Sequence, residues 1–85
     1  MNFETIEKAY ALLLENVQLI QNQLKTTFYD ALIEQNALYV TKEAQDSRIV
    51  DNNQALEKLN LSAEEWRRAF QFLLIKASQT ELLQV

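Results

Sequence analysis

Residues 61–85 read LSAEEWRRAFQFLLIKASQTELLQV, and this stretch decides the fold. Ser62 and, three residues on, Glu65 form a capping box, in which each side chain satisfies a free backbone donor at the other. Leu61 before the cap and Trp66 at the fourth helical position form a hydrophobic staple, which fixes how the chain enters the helix. From there Trp66, Ala69, Phe70, Leu73, Leu74 and Ala77 recur three and four residues apart, the period of one helix face. No glycine, proline or asparagine stops the pattern before Val85. A helix from Ser62 is therefore expected, with those six residues facing inward.

The same helix carries a second apolar set. At about 100° per residue, Phe72, Ile75, Gln79, Leu82 and Leu83 fall on another side. A helix apolar on two sides is usually buried on two sides. Phe72, Ile75, Leu82 and Leu83 are accordingly expected to form an interaction face.

The rest of the chain fits an all-α bundle of about four helices. All 85 residues contain neither glycine nor proline, which argues against a turn-rich β architecture. A first helix is expected from Phe3 to Lys25, capped by Asn2, with Ile6, Tyr10, Leu13, Val17, Ile20 and Leu24 as its inner stripe. Leu12 and Leu19 lie off that stripe. A second helix is expected from Thr27 to Leu38, with Phe28, Ala31, Leu32 and Ile33 inward, and its β-prone end LYV leaves the boundary open. Residues 41–53, TKEAQDSRIVDNN, show no helical stripe and read as a loop, with room for a very short strand at Ile49 and Val50. Asp51, Asn52 and Asn53 suit a helix cap. A short helix NQALEKL should follow, turning Ala55, Leu56 and Leu59 inward.

Composition removes most chemistry. The chain has no cysteine and no histidine, hence no disulfide, no thiolate metal site and no imidazole base. Without glycine it cannot build a phosphate-cradling loop. Ser47, Ser62 and Ser78 have no histidine to activate them. Glu4 with Glu7 and Glu64 with Glu65 pair carboxylates, but acids in a first helical turn have a simpler use, stabilising the positive end of the dipole. Asp46 and Asp51 lack a metal-ligand spacing, and the three tyrosines suit core positions better than base stacking. No catalytic, cofactor-binding or metal-binding residue is expected. The net charge is −4, and Arg67 with Arg68 is the one adjacent basic pair, so direct nucleic-acid binding is not expected either. No apolar run is long enough for a membrane span and the N-terminus lacks a basic signal start, which points to a cytoplasmic protein.

Three stretches resemble a known family: YALLLENVQLIQNQLKTTFYDALIEQNALYV (residues 10–40), DNNQALEKL (51–59) and EEWRRAFQFLLIKASQTE (64–81). They are similar to the N-terminal region of class I, S-adenosylmethionine-dependent methyltransferases of the N6-adenine-specific type in streptococci and related Firmicutes. Gln79, Thr80 and Glu81 match that family, Leu82 stands where it commonly has proline, and Leu83 and Gln84 match again. The resemblance implies that residues 1–85 are a single non-catalytic helical domain preceding a catalytic domain that holds S-adenosylmethionine. The domain would pack on that catalytic domain, shape substrate access or dimerise, and the isolated chain would form a weak homodimer. The same pattern also suits a free-standing helical interaction module of the regulator, antitoxin or immunity type.

Overall fold

Asn2 and Ser62, read from the sequence as caps, do open helices. The structure, a computed structural model, describes residues 2–83, with side chains described as far as residue 80. It contains four α-helices: α1 Phe3–Leu24, α2 Phe28–Thr41, α3 Ser47–Lys58 and α4 Ala63–Leu83. The fold is an all-α bundle, with no strand among the described residues.

At α1, Asn2 Oδ1 accepts from the Glu4 N–H at 3.0 Å and the Thr5 N–H at 3.3 Å. At α2, Thr27 Oγ1 accepts from the Asp30 N–H at 3.1 Å. At α4, the capping box is closed in both directions: Glu65 N–H donates to Ser62 Oγ at 3.1 Å, and Ser62 N–H to Glu65 Oε1 at 2.9 Å. Helix ends are made without glycine. Lys25 and Lys42 take the left-handed conformation, at φ 54 and 60, and return their N–H groups to Gln21 and Leu38. A side chain there is sterically disfavoured, and the closing hydrogen bond offsets the strain.

Helix α1 is the centre of the bundle. It packs against α2, α3 and α4, and α2 also meets α4. The Cα extents are 36 × 28 × 16 Å, a slab about two helices thick. Ile6, Ala9, Leu13, Val17 and Ile20 of α1 meet Phe28, Ala31 and Leu32 of α2, Ile49 and Leu56 of α3, and Ala69, Leu73 and Ala77 of α4 in one buried cluster. Leu12, Leu19, Leu59, Leu61, Trp66 and Phe70 pack half-buried against it.

Four expectations are corrected. Helix α2 continues through LYV to Thr41, because Tyr39 lies edge-on to Trp66 with ring centroids 5.1 Å apart, and tertiary packing overrides β propensity. Of the segment expected as a loop, residues 42–46 do connect α2 to α3, but residues 47–53, including the strand expected at Ile49 and Val50, form the first two turns of α3. Asp46 caps it, accepting from the Arg48 N–H at 2.9 Å, and Ile49 is core. Asp51, Asn52 and Asn53 are therefore interior to a helix rather than at its cap. Finally, Leu24, Ile33 and Leu74, expected inward, are exposed. Leu74 lies one 100° step past Leu73, which carries it off the buried stripe.

Candidate interaction face

An apolar groove of about 450 Å³ opens between α1 and α4. Helix α1 contributes Phe3, Ile6, Glu7 and Tyr10; α4 contributes Phe72, Ile75, Lys76 and Gln79. Each set has the spacing i, i+3, i+4, i+7, one face of a helix. Ile6 is the buried floor, while Phe3, Phe72 and Ile75 are 69%, 48% and 51% exposed. The Tyr10 and Phe72 rings meet edge to face, 6.4 Å apart at 87°, where the two walls join. Such contacts are favourable because the positive edge of one ring faces the negative face of the other.

Of the residues expected to form an interaction face, Phe72 and Ile75 lie together in this groove. Leu82 and Leu83 lie outside the described side chains. The α1 wall was missed in the sequence. Ile6 and Tyr10 belong to the inner stripe and Phe3 reads as a helix start; the signal was that Phe3 and Glu7 continue the face of Ile6 and Tyr10 at i, i+3, i+4, i+7 spacing. A second apolar surface lies where α2 meets α4. Ile33, Val40 and Leu74 are exposed on those helices, and Val40 and Phe70 share a shallow hollow of about 180 Å³ with Trp66.

The buried amides of the interior bond to one another, with Gln35 Oε1 the exception among the described residues. Asn16 and Gln35 are fully buried. Asn53 Oδ1 accepts from Asn16 Nδ2 at 3.0 Å and from Gln35 Nε2 at 2.7 Å, and Asn52 Nδ2 donates to Asn16 Oδ1 at 2.9 Å. This amide cluster ties α1, α2 and α3 together and contains no nucleophile or titratable group.

Glu65, Glu64 and Asp46, three of the acids considered for chemistry, are engaged otherwise. The backbone N–H groups of Ser62 and Asn2 hold the Glu65 carboxyl below its usual range, opposite to what a general acid at neutral pH needs. Glu64 pairs with Arg67 at 3.8 Å. Asp46 receives two side-chain bonds from Arg48 and one from Gln23, which push its carboxyl far below the usual range. Burial raises the Tyr39 phenol, away from any role as a base. Among the described residues no three acids, histidines or cysteines cluster as metal ligands. Nor is any helix among them long and apolar enough to cross a membrane.

No family model, curated protein or solved structure matches this chain.

Proposed function

We propose that this chain is a non-catalytic helical docking domain, and that its partner is the catalytic domain of an S-adenosylmethionine-dependent methyltransferase of the N6-adenine type in the cytoplasm. The observation that carries the docking role is the α1–α4 groove, whose apolar side chains stand open beside a closed core. Exposed contiguous apolar patches mark interaction sites. The resemblance over residues 10–40, 51–59 and 64–81 supplies the identity of the partner. On this reading the cofactor and the methyl transfer belong to the catalytic domain. The chain would shape the approach of substrate by holding that domain through Phe72 and Ile75. A basic surface for nucleic acid is not part of this reading: twelve acids outnumber eight bases, and four of those bases, Lys8, Lys42, Arg48 and Arg67, lie within 4 Å of a carboxylate.

One observation favours a second reading, a free-standing interaction module. Among the described residues, the N-terminal turns of all four helices are capped and a single core joins them. The same groove would then serve a different protein.

Calorimetric titration of the chain into a methyltransferase catalytic domain of that family separates the two. Saturable binding that Phe72→Glu with Ile75→Glu weakens about tenfold or more is expected, since two central apolar anchors are lost. No binding, or binding indifferent to the double substitution, removes the methyltransferase reading.

A further inference from the structure

The α1–α4 groove carries one acid and one base, Glu7 and Lys76, at different heights. The Asn2 N–H donates to Glu65 Oε2 at 3.2 Å, and the Tyr10 and Phe72 rings meet 6.4 Å apart. Residue numbers therefore rise together on the two helices, and α1 and α4 lie side by side in the same direction. Glu7 is level with Ala69 and Phe70, so Lys76 stands six or seven residues farther along. At the rise of an α-helix that is about 10 Å. Among the described residues neither Glu7 nor Lys76 takes part in an ion pair. Between their two levels Tyr10 and Phe72 face the groove.

We infer that this groove seats one amphipathic helix of a partner protein, which presents an acid to Lys76 and, seven residues later, a base to Glu7. The inference rests on the reading of the groove as a docking surface, and names what docks. Both walls are helices, whose backbone donors and acceptors are used internally, so the groove offers no edge to an extended segment. A strand laid there would bury its own N–H and C=O groups without partners, whereas a helix satisfies them within itself. The apolar ridge of a helix also fits the concave line between two side-by-side helices. The two charges then select sequence and direction. Seven residues of helix span about 10 Å, the separation of Glu7 and Lys76 along the groove. Apolar residues at i+3 and i+4 then fall on the same face, over Tyr10 and Phe72. An acid toward the N-terminus and a base toward the C-terminus suit the partner helix's own dipole. With the acid at Lys76 and the base at Glu7, that helix runs opposite to α1 and α4.

A designed helical peptide with glutamate, leucine, leucine and lysine at i, i+3, i+4 and i+7, titrated calorimetrically into the full chain, tests this. Saturable binding is expected, and Phe72→Glu with Ile75→Glu should weaken it about tenfold or more. Glu7→Lys should weaken it about fivefold or more, and a peptide with glutamate at i+7 should restore it. Lys76→Glu should weaken it likewise, and a peptide with lysine at i should restore it. Restored binding also verifies that each variant is folded, as do circular dichroism melts. A nitroxide at the glutamate end of the first peptide should broaden the Gln79 amide resonance more than that of Phe3. No saturable binding, charge reversals without effect, reversals that the matching peptide fails to restore, or stronger broadening at Phe3 overturns the inference. So does a dimer of the chain, seen by sedimentation, that the peptide does not dissociate. If the catalytic domain binds through Phe72 and Ile75 but the peptide does not bind, the docking reading stands without this one. If the peptide binds in the stated pattern and the catalytic domain does not, the helical partner stands and the methyltransferase reading falls.

Discussion

The backbone N–H of Asn2 donates to Oε2 of Glu65 at 3.2 Å, across 63 residues of sequence. The other oxygen of that carboxylate accepts from the Ser62 N–H at 2.9 Å. One glutamate thus joins the N-termini of α1 and α4, the first helix of the chain to the last. Its negative charge sits where both helix dipoles present their positive ends. A glutamine would keep the shape of the side chain but lose its charge and one of its two acceptors.

Glu65 should therefore make the fold sensitive to acid. The Ser62 and Asn2 N–H groups, in that order, lower its pKa below the ordinary value of 4.5. A carboxylate with a depressed folded pKa adds stability that is fully present above the unfolded value. That stability fades as pH falls through the unfolded and then the folded value. Urea denaturation at neutral pH and at successive steps below pH 4.5 should show wild type losing more stability than Glu65→Gln. Parallel losses in the two proteins would mean that the Asn2–Glu65 junction does not persist in solution. Asp46 is lowered as well, so the difference between the two proteins, rather than either curve alone, carries the result.

The buried amides make a second prediction of opposite signs at neighbouring atoms. Asn53 Oδ1 is the shared acceptor for Asn16 Nδ2 and Gln35 Nε2. Asn53→Ala leaves two buried donors without a partner and should cost roughly 2–6 kcal/mol, at about 1–3 kcal/mol for each unsatisfied group. Gln35 Oε1, by contrast, accepts no hydrogen bond among the described residues. Gln35→Met removes that orphan along with one donor, and keeps the Asn16–Asn53 bond. It should be neutral or stabilising by about 1 kcal/mol. Urea midpoints at unchanged slope provide the measurement. If Asn53→Ala is harmless, or Gln35→Met costs as much as Asn53→Ala, the cluster is not the network described.

This cluster also explains where the sequence was hard to read. Helices α1 and α4 announce themselves through Asn2, the Ser62–Glu65 box and apolar residues at helical spacing. Helix α3 does not, because Asn52 and Asn53 occupy positions between Ile49 and Leu56 that an apolar stripe would fill. With polar residues turned toward the core, periodicity reports a loop. The β-branched pair Ile49 and Val50 then suggests a strand. The groove was half legible for a related reason. Phe72 and Ile75 stand clear of the α4 stripe, whereas Tyr10 lies close enough to the α1 stripe to pass for core. Which of two adjacent leucines turns inward depends on the neighbouring helices, and one helix's sequence holds no record of them.

Leu73 and Leu74 put that last point to a test. They are chemically identical, adjacent on α4, and both fit the inner stripe by spacing. Leu73 is 0% exposed within the core, and Leu74 is 47% exposed. Leu73→Ala should cost about 2–5 kcal/mol, the transfer term plus the cavity left behind. A chain this long has about 4–13 kcal/mol of stability in total, so this change removes much of it. Near the midpoint of thermal unfolding each kcal/mol shifts Tm by about 4–8 °C, so a fall of at least 8 °C is expected. Leu74→Ala should stay within about 0.5 kcal/mol of wild type, as surface changes do. The single tryptophan, Trp66, lies half-buried against the same core and gives a fluorescence signal for both melts. Equal losses would show that α4 is rotated toward Leu74. A greater loss from Leu74→Ala would place the α2–α4 surface, rather than the α1–α4 groove, on the buried side of the helix.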